Sequence, residues 1–194
     1  MQQTAHRSKP LKTAGFAHPV RNVGALGIEP GMIVADFGAG SGAYVLAIAA
    51  QLAHAGRVYA VDIQRDLLRR IHTEAHKRGY KNVEVVWADL EKVHASKLAD
   101  ASVDLVLISN LLFQLDDKRA VFAEAWRVLK PTGKLAVIDW SDSFGGMGPI
   151  KAQVVKADAA LQLAVAAHFE LVREFEAGAH HYGLICRPVP KQQI

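Results

Sequence analysis

The chain has very little cysteine: one residue, Cys186, in 194. An internal disulfide and a CxxC metal knot are therefore excluded, and the lone thiol reads as core filling. No apolar run approaches the ~20 residues that cross a bilayer, and the first residues lack the apolar stretch of a secretory signal. The expected location is the cytoplasm. No internal repeat, low-complexity tract or Pro/Ser-rich linker divides the chain, and a hydrophobic content of 51% is enough to build a sizeable core. One compact domain is expected at this length.

A basic surface is largely lacking as well. The formal charge of +4 comes from Arg7, Lys9, Lys12 and Arg21, all of which precede the first acidic residue, Glu29. Setting those four aside leaves equal numbers of basic and acidic residues, 19 of each. A nucleic-acid binder is expected to spread Lys and Arg over the face that meets phosphates, and the body shows no such excess. Residues 1–27 read as a basic arm and residues 28–190 as the folded domain. The arm is either a solvated tail or a contact for an anionic lipid, RNA or substrate. Pro10 and Pro19 argue against one long helix within it.

Alternating strands and helices fill the body. Apolar runs at Ile33–Phe37, Val58–Val61, Val83–Trp87, Val103–Ser109 and Leu135–Trp140 predict five strands. Helical patterns over Tyr44–Ala55, Asp66–Arg78 and Lys118–Leu129 separate them, the last stopped by Lys130-Pro131-Thr132-Gly133. Near-continuous apolar strands alternating with helices indicate a parallel sheet covered on both faces, a doubly wound α/β domain. After a helix around Lys156–Ala167, the segments Glu170–Glu176 and Tyr182–Arg187 flank Ala177-Gly178-Ala179. That spacing predicts an antiparallel hairpin and hence one reversed strand.

Asp36-Phe37-Gly38-Ala39-Gly40-Ser41-Gly42 lies between the first strand and the first helix of this body. Glycines there let the backbone approach a ligand, and the helix start offers unpaired N–H groups. Gly38, Gly40 and Ala43 also satisfy the loose dinucleotide pattern, with Asp62 about 20 residues on to hold ribose hydroxyls, so an NAD-dependent oxidoreductase competes. Asp36 argues against NAD, because a carboxylate directly before the loop would repel a pyrophosphate. S-adenosylmethionine, with an ammonium and a sulfonium, suits an acidic site. Asp89, after the third strand, adds an acceptor for an adenine amino group.

The whole resembles the class I methyltransferases, most closely the ubiquinone/menaquinone-biosynthesis-like branch, over about residues 30–188. The resemblance rests on Gly31-Met32-Ile33-Val34-Ala35-Asp36-Phe37-Gly38-Ala39-Gly40-Ser41-Gly42, Val61-Asp62, Ala88-Asp89-Leu90 and Arg127-Val128-Leu129-Lys130-Pro131-Thr132-Gly133-Lys134-Leu135. It implies a Rossmann-like seven-stranded sheet of order 3-2-1-4-5-7-6 with strand 7 antiparallel, and S-adenosyl-L-methionine as cofactor. Gly38, Gly40 and Gly42 would border its methionine and ribose parts. Asp62, with Ile63 beside it, would hold the ribose, Asp89 and Leu90 would meet adenine, and Asn110 would lie beside the transferable methyl group.

Methyl transfer from a sulfonium needs alignment and exclusion of water more than a dedicated base. Where the acceptor must lose a proton, histidine is the group best matched to neutral pH. His180, His181 and Tyr182 follow the hairpin turn and are the first choice for the acceptor side; the competing reading makes them two surface histidines and a core-edge tyrosine. Asp139, Trp140 and Asp142 face the same edge, next to a glycine-rich stretch, 143–149, that reads as a mobile acceptor loop. Asn110, Asp139 and Asp142 could instead hold a divalent cation, although spacing alone does not bring them together; no metal is assigned.

Ser109-Asn110-Leu111-Leu112-Phe113 lacks the Pro-Pro-aromatic signature of nucleobase amino-methyltransferases, and one cysteine argues against arsenic chemistry. Leu111, Leu112, Phe113, Trp140 and Phe144 suggest an apolar pocket for a small or lipophilic acceptor, or else are core. An RNA, protein or membrane acceptor reached through the basic arm, an NAD oxidoreductase and a non-catalytic cofactor-binding module are the alternatives.

Overall fold

The computed structural model describes residues 17–146 and 148–190. A short helix α1, Pro19–Ala25, precedes strand β1, Ile33–Phe37. Then come α2, Ala43–Gln51, β2, Arg57–Asp62, α3, Arg65–Lys77, and β3, Val83–Trp87. Strand β4, Val103–Ser109, is followed by α4, Lys118–Val128, and β5, Leu129–Trp140. Helix α5, Ala157–Ala166, leads into the hairpin of β6, Phe169–Gly178, and β7, His181–Pro188.

The seven strands form one sheet in the order β3-β2-β1-β4-β5-β7-β6, with β7 antiparallel to both neighbours and the other pairings parallel. The order reverses between β1 and β4. Ligands of open α/β sheets bind at the carboxyl ends of the strands beside such a switch point.

The pleat sorts side chains by face. Ala35 and Phe37 join a core under α4 and α5, while Val34 joins a second core under α1, α2 and α3. Period-two alternation therefore puts Asp36 on the α1/α2 face, where its register partners Ala60 and Leu107 also lie. The same alternation on β5 and β7 sends Ile138, Trp140 and His181 to that face, and Asp139 and Tyr182 to the other.

Three elements depart from the sequence reading. Strand β5 begins at Leu129, immediately after α4. The segment expected to be a stop is a register shift within the β4–β5 ladder. Gly133 folds back so tightly there that a Cβ would sit 2.9 Å from the Leu129 side chain. Helix α2 ends at Gln51, and Ala53 and His54 follow in left-handed backbone.

The third departure lies in the 1–27 arm. Residues 1–16 fall outside the described residues, so Arg7, Lys9 and Lys12 have no structural account. Residues 17–27 contain α1, with Pro19 in its first turn, where a missing N–H costs nothing. Val23 and Leu26 from this segment are buried against Tyr44, Ile48 and Leu52 of the α2 region.

The chain between β3 and α4 is held by a buried ion cluster. Glu124 on α4 accepts from the Ser96 backbone N–H at 2.9 Å and pairs with Arg127 at 2.7 Å. Arg127 also reaches Asp100 and the Leu98 carbonyl. This fixes the loop that carries Asp89 and Leu90.

If α1 is an integral layer, Leu26→Ala leaves a cavity and costs about 2–5 kcal/mol, read by urea unfolding. A free arm would give no loss.

Candidate active site

The glycine loop is positioned by an acid from the next strand. Asp62, at the end of β2, accepts from Gly40 N through Oδ2 and from Gln64 N through Oδ1, both at 2.8 Å. Gly38 N and Ala39 N donate to the Val61 carbonyl at 2.8 and 3.0 Å. All three loop glycines have left-handed backbone. A Cβ at Gly38 would lie 2.7 Å from Leu111, and one at Gly42 would lie 2.5 Å from Ile71. The loop is thus a bare backbone cradle. An ionised carboxylate offers about four lone-pair sites, so Asp62 keeps acceptor capacity for ribose hydroxyls.

Asp36 lies on β1, two residues before Gly38 of the glycine loop. It is 1% exposed, and neither carboxyl oxygen has a hydrogen-bond partner among the described residues. Burial, with help from the Asp62 charge, pushes its pKa up to about 7. Asn110, at the end of β4, adopts left-handed backbone and donates its N–H to the Ile138 carbonyl at 2.9 Å. Its side-chain oxygen is buried and has no partner among the described residues.

On the adenine side, Asp89 Oδ1 accepts from Glu91 N at 3.1 Å, an Asx turn that stiffens the loop after β3, and Leu90 is buried in the α4/α5-side core. Ile63 is exposed. Its carbonyl accepts from the Trp87 indole N–H at 2.9 Å, and the Arg65 guanidinium lies 3.9 Å above that ring. Trp87 was not singled out from the sequence. Its place at the end of a strand beside Asp62 was the available signal.

The acceptor-side trio does not act as one group. The β6–β7 turn does meet the end of β5, with Ser141 N donating to the His180 carbonyl at 2.9 Å. Strand alternation then separates the side chains. His181 is buried, and its ring lies 4.3 Å from Trp140. Its pKa is pushed down to about 4 by burial and by the neighbouring His180, so it stays neutral through ordinary pH, and neither ring nitrogen has a partner among the described residues.

Tyr182 donates its hydroxyl to the Val155 carbonyl at 2.9 Å, and burial raises its pKa. Asp139 is wholly buried, with a pKa raised to about 6 by burial. Its oxygens accept from Leu111, Leu112 and Trp140 backbone N–H groups at 3.2, 2.9 and 2.8 Å. Asp139 thereby sets the turn after Asn110. His180 lies in the turn itself: its Nδ1 is 2.8 Å from Asp142, and Phe144 stacks on the ring at 4.0 Å. Among the described residues no three His, Cys, Asp or Glu side chains converge as a metal site. Of the residues the cation alternative invoked, Asp139 accepts from backbone donors and Asp142 pairs with His180.

A bare glycine cradle, an acid bound to it from β2 and a second acid sealed behind it define a class I methyltransferase site. Known proteins agree. Residues 28–184 match the family model described as a methyltransferase domain, and the chain belongs to that family. A SAM-dependent methyltransferase of Aquifex aeolicus superposes with a TM-score of 0.80 at 28% identity, covering 88% of this chain and 89% of that one.

A ubiquinone/menaquinone biosynthesis C-methyltransferase of Hydrogenovibrio crunogenus is 34% identical over 116 residues, 59% of this chain and 44% of the relative. An arsenite methyltransferase of Aquipseudomonas alcaligenes is 35% identical over 114 residues, 56% of this chain and 33% of the relative. The matches thus span less than half the length of these two relatives. Family membership removes the NAD oxidoreductase reading.

The Asp36 carboxyl gives a pH test. Its folded pKa of about 7 stands above its ordinary 3.8, so the unfolded chain gives up the proton first and stability falls as pH rises between those values. Asp139, with its pKa raised to about 6, adds a contribution of the same sign over a narrower pH range. Asp36→Asn, which mimics the protonated form, is expected to unfold at a higher temperature than wild type at pH 8, with the two converging near pH 4. Parallel curves across that range would contradict the burial of an unanswered carboxyl.

Proposed function

We propose that the protein transfers a methyl group from S-adenosylmethionine to a small, apolar-bodied acceptor that carries a weakly acidic O–H or C–H. The observation that carries this reading is a group of three buried oxygens without a hydrogen-bond partner among the described residues, both oxygens of Asp36 and the side-chain oxygen of Asn110; the ring nitrogens of buried His181 are unpartnered there as well. Buried polar groups are almost always hydrogen-bonded. With Asp36 ionised the three oxygens are acceptors, and a ligand that answers them is a donor or a cation. The methionine end of the methyl donor supplies an ammonium and a sulfonium.

When bound, the donor provides an electrophilic methyl carbon on a sulfur that takes back the bonding electron pair. The chain's own residues do the rest. Asp36 faces the ammonium, Gly38, Gly40 and Gly42 leave room for the backbone cradle, and Asp62 accepts from the ribose hydroxyls. Asp89 and the exposed Ile63 border the adenine.

On the acceptor side, His180 gives its Nδ1 proton to the bond with Asp142, which leaves Nε2 as the base. As the acceptor's nucleophilic atom bonds to the methyl carbon, its proton passes to Nε2. His180 is then a cation paired with Asp142. Phe144 and the exposed Ile150 give this side an apolar floor. Hydroquinone rings, the reduced form of the quinones in the name of the Hydrogenovibrio relative, have this chemistry. Arsenite does not fit: a thiophilic acceptor needs thiolates, and Cys186 is buried with its thiol pushed up to about 11.

Labelled donor offered with a panel of phenols, quinols and arsenite tests this. Label is expected on the apolar hydroxylated rings, and label on arsenite alone would overturn the reading. His180→Gln is expected to lower kcat by about 100-fold or more at pH 7. The deficit should shrink as the pH approaches the acceptor's own pKa. An unchanged kcat would remove His180 from the base role.

A further inference from the structure

Helix α1 contributes one buried polar side chain, Asn22, which is 1% exposed. Its amide nitrogen donates one hydrogen to the Tyr44 hydroxyl and the other to the Ala177 carbonyl, both at 2.9 Å. The first acceptor stands in the opening turn of α2, directly after the glycine cradle. The second stands at the end of β6, three residues before His180. One amide therefore ties the donor side of the site to the turn that carries the acceptor-side base, across sequence separations of 22 and 155 residues.

Burying an amide is unfavourable unless its hydrogens are answered. Purely apolar packing at this position would be met by residues like the adjacent Val23, also buried. Tyr44 lies on the same face as Asp36, near enough that the carboxyl opposes ionisation of the phenol. Asn22 occupies one lone pair of the Tyr44 oxygen and leaves its O–H free to donate.

We propose that Asn22 is a positioning residue that couples the two half-sites: donor bound against Asp36 restrains Tyr44, and Asn22 passes that restraint to the Ala177 carbonyl and so to the turn bearing His180. This rests on the donor reading of the glycine cradle. It adds that α1 belongs to the active site.

Amide hydrogen exchange with S-adenosylhomocysteine tests it. In wild type, saturating ligand is expected to slow exchange in the 38–42 loop and in the 178–182 turn, the latter by about tenfold, the size of a typical coupling. In Asn22→Ala the loop should still be protected at saturation, while the turn exchanges as in the free protein. Tyr44→Phe, which keeps the ring and breaks the same link from its other end, should behave alike and covers the case in which Asn22→Ala fails to fold. Ligand protection of the turn that is undiminished in either variant overturns the coupling. Absence of ligand protection at the loop in wild type itself overturns the donor reading instead.

Discussion

A carboxyl group enclosed in apolar surroundings is unfavourable when ionised, and Asp36 is such a group at the centre of this sheet. Its strand is flanked on both sides, its face is covered by α1 and α2, and no donor among the described residues reaches it. Neighbouring features follow from that placement. The glycines beyond it keep backbone rather than side chains in front of it, and Asp62 fixes the loop from the adjacent strand while adding a second negative charge. The site is thereby set to receive positive charge, and it disfavours phosphate for the same reason.

The acceptor side is organised by the pleat. Two adjacent residues on β7 face opposite ways, so His181 and Tyr182 lie on different faces of the sheet, while His180, in the turn, pairs with Asp142. Asp139 and Asp142 are likewise close in sequence but divided in role. The buried one fixes the Asn110–Leu112 turn through backbone donors, and the exposed one orients a histidine ring. Gly148 lies so close to the Trp140 ring that a Cβ would be 2.4 Å away, so this glycine packs against the end of β5.

Much of the fold could be read from residue order. Strands β1, β3 and β4 are apolar runs closed by Gly, Asp or Asn, and their limits agree with the sequence reading residue for residue. The strand order and the reversed β7 agree as well. The beginning of β5 was misread because Lys130-Pro131-Thr132-Gly133 has the composition of a break, whereas the ladder absorbs it as an irregularity. Helix α1 was missed because seven residues containing Pro19 and Gly24 carry too little periodicity.

The residues proposed for the cofactor side could be picked out because they sit at fixed offsets from strand ends. Asn22, Trp87 and the division within His180–Tyr182 could not, since each depends on a partner brought near by register or by packing over long separations. A fold of this kind is compatible with many acceptors, and the acceptor side is where local sequence pattern is least informative.

In the proposed site Asp36 answers the donor's ammonium. With a pKa near 7, the carboxyl is largely protonated at pH 6 and must ionise when a fixed cation arrives beside it. Calorimetric titration at pH 6 in two buffers of different ionisation heat measures that proton. Binding of S-adenosylhomocysteine should release a large fraction of one proton, and binding of methylthioadenosine, which lacks the amino-acid end, should release none. Equal proton counts for the two ligands would contradict the central assignment.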